Sequence, residues 1–347
     1  MSDAAIQGKA RIEGYPYDRE ALRAELRTLE QVPGVAKRDP ILTVDRIERR
    51  FGGMTAVNVA HLEVPRGAIT ALIGPNGAGK TTFFNLITGF DQPSNAQKLI
   101  GGGDAKWSFN GKDLRRTGAS QAARAGMVRT FQLTKALSRM TVLENMLIGA
   151  NNQPGENIFV GLIPPLWKAR ERENIERAKD LLTRFKLDAK INDMAGDLSG
   201  GQKKLLEMAR ALMSNPAMIM LDEPMAGVNP ALTQSLLDHV QALRDDGTTV
   251  LFVEHDMHMV RHISDWVVVM AQGEIIAEGL PETVMTSQAV VDAYLGAHQD
   301  VDLGAVTGRI SVADIAEANA LRQEIEAQAE AEIDADDPAE STEEGRA

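Results

Sequence analysis

Two short stretches of this chain carry side chains whose types and order suit them to hold a phosphate and a divalent cation. The first is Gly74-Pro75-Asn76-Gly77-Ala78-Gly79-Lys80-Thr81, followed by Thr82, which fits the spacing G-x-x-x-x-G-K-[ST]. Glycines at this spacing let successive backbone N–H groups converge on phosphate oxygens, and the helix that follows adds partial positive charge at its start. Lys80 would reach the β- and γ-phosphates, and the Thr81 hydroxyl would ligate Mg²⁺. The second stretch is Met218-Ile219-Met220-Leu221-Asp222-Glu223. An apolar strand ending in an acid delivers Asp222 to a metal at the sheet edge. Glu223, directly after it, is placed to orient or deprotonate an attacking water.

A third stretch, Leu198-Ser199-Gly200-Gly201-Gln202, precedes the helical run Leu205 to Leu212. A hydroxyl, two glycines and an amide at a helix start make a second anion-binding surface. One γ-phosphate does not need two such surfaces in one chain, so this one is expected to serve the nucleotide of a facing subunit.

These groups need elements to hold them. Apolar, β-branched runs at Ile69 to Ile73, Ala217 to Leu221, Thr248 to Val253 and Trp266 to Met270 alternate with helical patterns. Such alternation predicts an α/β architecture with a largely parallel sheet and crossover helices. The strand at Ala68 to Ile73 precedes the glycine-rich loop and the helical run Phe83 to Ile87 follows it, the context such a loop requires. From about 133 to 212 the strand signals give way to helices, including a charged one over Lys168 to Phe185.

The chain therefore divides into an N-terminal extension (1–40), an α/β domain (41–299) with an inserted helical subdomain (about 133–212), and a C-terminal tail (300–347). In the extension, Leu22, Leu26 and Leu29 recur at helical spacing, which predicts a short amphipathic helix, either docked on its own domain or presented to a partner. The tail is acidic. Of the net charge of −12, residues 311–347 hold −10, from 12 acidic side chains against Arg322 and Arg346. The tail is predicted to be helical and then disordered at its charged end. The body, left with −2, has no basic stripe suited to nucleic acid. There is no cysteine, which excludes disulfides and thiolate metal sites. No apolar run is long enough to span a bilayer, so if the chain works at a membrane, something else must hold it there.

With the Leu198 to Gln202 signature in place, the sequence resembles the ABC ATPase superfamily from about Leu42 to His298. The resemblance implies a P-loop NTPase core with an inserted helical subdomain and an antiparallel β part, and two ATPase subunits packed head to tail, each ATP lying between one glycine-rich loop and the opposite Ser199-Gly200-Gly201-Gln202. It further implies that Gln132, in Arg129-Thr130-Phe131-Gln132, reaches Mg²⁺ or the attacking water. His255, in Val253-Glu254-His255-Asp256, would contact the γ-phosphate, and Phe51 would stack on adenine.

The finer resemblance is to the ATP-binding subunits of high-affinity branched-chain amino-acid importers of the LivG type. It is carried by Arg50 to Val57, Arg129 to Gln132, Thr141-Val142-Leu143-Glu144-Asn145, Ala226 to Pro230, Glu254 to Met257 and Ala293-Tyr294-Leu295-Gly296. It implies a non-identical second ATPase, two membrane permeases and an extracytoplasmic binding protein, with this chain at the cytoplasmic face of the membrane.

Urea or short amides are the alternative substrates. A soluble ABC ATPase of translation or DNA repair is the alternative class, but there is one glycine-rich loop and one signature, with no sustained heptads. A lipopolysaccharide-export ATPase shares the Ala226-Gly227-Val228 run but not the Glu254 to Met257 or Tyr294 to Gly296 stretches. Asn229 stands where many relatives carry an acid. The Ser94 to Lys112 link, the N-terminal extension and the acidic tail are additional to the family pattern.

Overall fold

The computed structural model describes residues 19–96, 104–115, 117–130, 136–151, 153, 163, 165, 167–226, 228 and 230–297. The chain forms two units, Met1–His298 and Gln299–Ala347; the acidic tail, with its expected helix, lies outside the described residues.

The centre of the first unit is a six-stranded sheet in which five strands are parallel. In chain order its strands are β3 (Ile69–Ile73), β6 (Met127–Arg129), β7 (Met218–Asp222), β8 (Thr249–Val253), β9 (Trp266–Ala271) and β10 (Glu274–Gly279). Their spatial order is β10-β9-β3-β8-β7-β6, with β10 antiparallel at one edge. Every residue of β3, β7 and β8 is buried, as continuous apolar runs must be when both faces are covered. Side chains alternate between two cores: Ile219 and Leu221 enter one and Met218 and Met220 the other, the period-two rule of an extended chain.

A second, antiparallel sheet of β1 (Pro40–Phe51), β2 (Met54–Pro65), β4 (Lys106–Phe109) and β5 (Lys112–Asp113) is ordered β2-β1-β4-β5. Trp107 and Phe109 of the Ser94 to Lys112 link thus enter the core beside β1. Between the sheets lies helix α2 (Lys80–Ile87), with Phe83, Phe84, Leu86 and Ile87 all buried.

The helical segment holds α4 (Val142–Ile148), α5 (Lys168–Arg184) and α6 (Gly200–Leu212), which pack on one another. Helix α4 begins with a reciprocal cap: Thr141 Oγ1 accepts from Glu144 N–H, and the Glu144 carboxylate accepts from Thr141 N–H at 2.8 Å. Such a cap satisfies two of the amide donors that a helix start leaves open. The buried Asn145 amide then binds the Leu137 and Thr141 carbonyls and the Leu137 N–H, fixing the turn ahead of the helix. Short helices α3 (Ala119–Arg124), α8 (Met257–Ile263) and α9 (Pro281–Val284) and longer ones α7 (Pro230–Asp245) and α10 (Gln288–Ala297) complete the unit.

The predicted N-terminal helix is α1 (Arg19–Thr28). Leu26 is buried, and Leu22 and Leu29 pack on the core shared by the two sheets. Arg23 Nε donates to Asp265 Oδ1 at 2.8 Å. Beyond the helix, Val35 N–H donates to Glu278 Oε1 at 2.7 Å and Lys37 Nζ pairs with the same carboxylate at 3.0 Å. Lys37 and Glu278 are both buried, so residues 19–39 form a strap anchored at Asp265, just ahead of β9, and at Glu278 on β10. No helix among the described residues is long and apolar enough to cross a membrane.

Candidate nucleotide site

The glycine-rich loop runs from the end of β3 into α2. Gly79 caps the helix in a left-handed conformation, φ +98°. A methyl group there would overlap the Ala56 carbonyl oxygen and sit 3.3 Å from Val57 Cγ2. The loop is held from outside: Gly273 N–H, in the β9–β10 turn, donates to Ala78 O at 3.0 Å, and Asn58 N–H of β2 donates to Gly273 O at 2.7 Å. The antiparallel sheet and the β9–β10 turn therefore set the shape of the phosphate loop. No acid stands in the first turn of α2, so nothing there cancels the positive helix terminus.

Lys80 folds back over this loop, its ammonium 2.6 Å from Gly74 O and 2.9 Å from Pro75 O. Burial lowers its pKa, and the nearby Glu223 and Asp222 carboxylates partly offset that. The loop, Lys80 and the Asp222-Glu223 pair thus share one electrostatic environment. Thr81 and Thr82 are the next two residues of α2, Thr81 on its exposed side.

Asp222 ends β7 and is 5% exposed. Its Oδ2 accepts from Arg129 Nη2 at 2.7 Å, while Arg129 Nη1 donates to Asn85 Oδ1 at 2.6 Å. The guanidinium also lies 5.4 Å from the centre of the Phe84 ring. Glu223 follows with φ +47°, a conformation that costs a side-chain-bearing residue energy. Its N–H donates to Val253 O at 3.0 Å, so the neighbouring strand β8 holds that turn of chain.

His255 leaves the end of β8 with its side chain 66% exposed. The residue before it is the opposite case. Glu254 is 2% exposed, and its carboxylate accepts from Met225 N–H at 3.1 Å and His255 N–H at 3.3 Å. Burial pushes the Glu254 carboxyl above its ordinary range. One carboxylate thereby ties the loop after Glu223 to the loop bearing His255. Asp256 caps α8 through the amides of His258 and Met259.

Ser199 and Gln202 form a reciprocal cap on α6: Gln202 N–H donates to Ser199 Oγ at 3.3 Å, and Ser199 N–H to Gln202 Oε1 at 3.0 Å. Ser199 and Gly200 are exposed and Gly201 partly so. The cap bonds stay within the helix start and do not reach the glycine-rich loop. Lys204, on the next turn, donates to the carbonyls of Pro224 and Ala226. Phe51, at the end of β1, is 48% exposed, with the Arg49 guanidinium 4.6 Å from its ring centre. It offers an open aromatic face. Gln132, Gly227 and Asn229 lie outside the described residues.

The side chains fit a magnesium nucleotide by their chemistry. Thr81 and Asp222 offer hard oxygen ligands, and no cluster of three His, Cys, Asp or Glu forms a closed metal cage among the described residues. Mg²⁺ on a nucleotide is typically held by one or two protein oxygens, with phosphates and water completing its shell.

Three residues of the site were not assigned a role from sequence: Arg129, Asn85 and Glu254. Tyr294 is a fourth. Its hydroxyl is buried against the Gly74 amide, and burial pushes the phenol up to about 12. Arg129, Glu254 and Tyr294 fall inside runs that carry the family resemblance, but a run does not disclose its contacts.

The fold and this loop geometry are those of an ATP-binding cassette. The family model for ABC transporters matches residues 57–226, and a model described as branched-chain amino acid ATP-binding cassette transporter matches residues 274–300. A protein of Archaeoglobus fulgidus named as a probable branched-chain amino acid transport ATP-binding protein, LivG, is 41% identical over 76% of this chain and 98% of its own length. The Pseudomonas aeruginosa protein BraF, named for high-affinity branched-chain amino acid transport, is 41% identical over 74% of this chain and 98% of its own.

Among solved structures, an ATP-binding cassette of an ABC transporter in its ADP conformation is 39% identical, with a TM-score of 0.63, over 74% of this chain and 99% of that one. The chain belongs to the ABC transporter family, as one of its nucleotide-binding, ATP-hydrolysing subunits.

Proposed function

We propose that this chain is the ATP-hydrolysing subunit of an importer for branched-chain or other hydrophobic amino acids. The observation that carries this reading is the match at residues 274–300. The phosphate loop, the Asp222-Glu223 pair and the signature recur throughout ABC ATPases and cannot discriminate between substrates. The 274–300 segment lies outside them. The relatives that match over 98% of their length and are named for this transport agree with it.

In this reading ATP binds between the Gly74 to Thr82 loop of one subunit and Ser199, Gly200, Gly201 and Gln202 of a non-identical partner. Phe51 stacks on adenine and Lys80 exchanges its two carbonyl contacts for phosphate oxygens. Thr81, Asp222 and Gln132 would hold Mg²⁺, which when bound would neutralise phosphate charge. Glu223 takes the proton of the attacking water, and His255 contacts the γ-phosphate. The force on two membrane permeases comes from the difference in ATP affinity between closed and open dimers, because a ligand shifts an equilibrium only by its differential affinity. An extracytoplasmic binding protein would deliver the amino acid, and this subunit would work at the cytoplasmic face.

The test is to solubilise membranes, capture this chain and identify what accompanies it, and to measure uptake of labelled leucine in a strain lacking it. Hydrophobic permeases and lost leucine uptake are expected. Recovery of ribosomes or DNA would overturn the transport reading, and loss of urea uptake with leucine uptake intact would overturn the substrate.

A further inference from the structure

The Asp222 carboxylate, expected to meet the metal, is already held by a cation. Arg129 spans 2.7 Å to Asp222 and 2.6 Å to Asn85, with side-chain exposures of 5% for Arg129 and 6% for Asp222. The contacts lie on the elements that carry the expected metal ligands: Asp222 on β7, and Asn85 and Phe84 on the same helix as Thr81. The backbone behind the arginine is fixed, since β6 pairs with β7 (Arg129 opposite Met220) and Thr130 N–H donates to Met220 O at 2.9 Å. The guanidinium fork bridges the carboxylate and the amide at once; a lysine in its place would keep the charge beside Asp222 and give up the bridge to Asn85.

A buried carboxylate without a counter-charge is costly, so the pair stabilises Asp222 as an anion when no metal is bound. The same positive charge opposes a divalent cation approaching that carboxylate.

We propose that Arg129 is a positioning residue that sets the metal affinity of this site. It serves as the counter-cation of Asp222 and yields or shares that carboxylate when Mg²⁺ arrives on the nucleotide. A purely structural ion pair would affect stability and leave metal affinity alone. The inference rests on the reading of Asp222 as a metal-contacting residue, and the test separates the two.

Mn²⁺ is titrated into the full-length protein saturated with ATPγS and followed by electron paramagnetic resonance, for wild type, R129Q, R129K and D222N. R129Q is expected to bind Mn²⁺ about tenfold more tightly, because a buried positive charge beside the site is gone. R129K keeps the charge and is expected to stay within about twofold of wild type. Unchanged or weaker Mn²⁺ binding in R129Q overturns the proposal, as does an R129K shift as large as that of R129Q. If D222N binds Mn²⁺ like wild type, the reading of Asp222 fails as well. If D222N weakens binding while R129Q leaves it unmoved, only the inference about Arg129 fails.

Should R129Q not fold, the Arg129 Nε–H resonance of the wild-type protein, assigned by its loss from R129K, reports directly. It is expected to shift when Mg²⁺ is added to the ATPγS-bound protein, and a resonance indifferent to the metal overturns the proposal.

Discussion

Substituting Gly79 and Gly77 by alanine, one at a time, separates backbone strain from steric overlap in the phosphate loop. Both glycines are left-handed, with φ +98° and +78°. A side chain in that region costs roughly 1–2 kcal/mol, and this is all that G77A should incur, because its methyl would meet nothing within 4 Å. At Gly79 the methyl overlaps the Ala56 carbonyl oxygen. That oxygen belongs to the backbone of β2, so it cannot rotate aside, and forcing such a contact adds about 1–3 kcal/mol. G79A should therefore be less stable than G77A by about 1–3 kcal/mol in urea unfolding without nucleotide. It should also lose about tenfold or more in ATPγS affinity by calorimetry, since 1.4 kcal/mol of misplaced loop is already a factor of ten. A G79A protein within about 0.5 kcal/mol of G77A, the range of an ordinary surface change, would refute the claim that β2 shapes this loop.

Glu223→Gln should lower ATP hydrolysis by about 10²–10⁴-fold, the usual contribution of a general base, with ATP binding retained; undiminished turnover would remove Glu223 from that role. Glu254→Gln should change the pH dependence of stability. Burial raises the folded carboxyl above its ordinary 4.5, so the folded state keeps this proton to higher pH than the unfolded one. Wild type should lose stability relative to E254Q as pH rises from about 4.5 through the raised value, and parallel urea-unfolding profiles of the two proteins would contradict the assignment. Lys37→Met should cost about 3–5 kcal/mol in the same assay, because it leaves the Glu278 carboxylate buried without its cation; a loss under about 1 kcal/mol would mean that the strap is not anchored there.

The parts of the site legible in the sequence are those in which a local run of chain dictates its own backbone. Gly74 to Thr81 specifies a strand, a glycine-rich turn and a helix start within a dozen residues, and the structure has β3, the loop and α2 in that order. Ser199 and Gln202 announce a helix start three residues apart and form a reciprocal cap.

Pairing across the chain is not written in any such run. Arg129 meets a carboxylate 93 positions away, and Glu254 binds the Met225 amide 29 positions away. The fully buried Glu278 is satisfied by Val35, Lys37 and Trp266, a set that only the completed sheet brings together. Glu223 shows a further limit, since its left-handed backbone is imposed by β8 rather than by its own residue type. The N-terminal helix was legible as amphipathic from Leu22, Leu26 and Leu29; the acids that anchor the strap, Asp265 and Glu278, lie in the last third of the described chain.

That strap also has a consequence in time. Lys37 and Glu278 are 241 positions apart. During synthesis at about 5–20 residues per second, the lysine emerges roughly ten to fifty seconds before the glutamate that neutralises it. The β1–β2 hairpin can form early from neighbouring sequence. β3, however, lies between β8 and β9, so the central sheet must wait for almost the whole domain to leave the ribosome. Contacts of such high sequence separation make for slow folding. The strap is thus made early and locked late, and through those seconds Lys37 waits for its carboxylate. For a nascent ATPase of this kind, that interval is where chaperones would have most to hold.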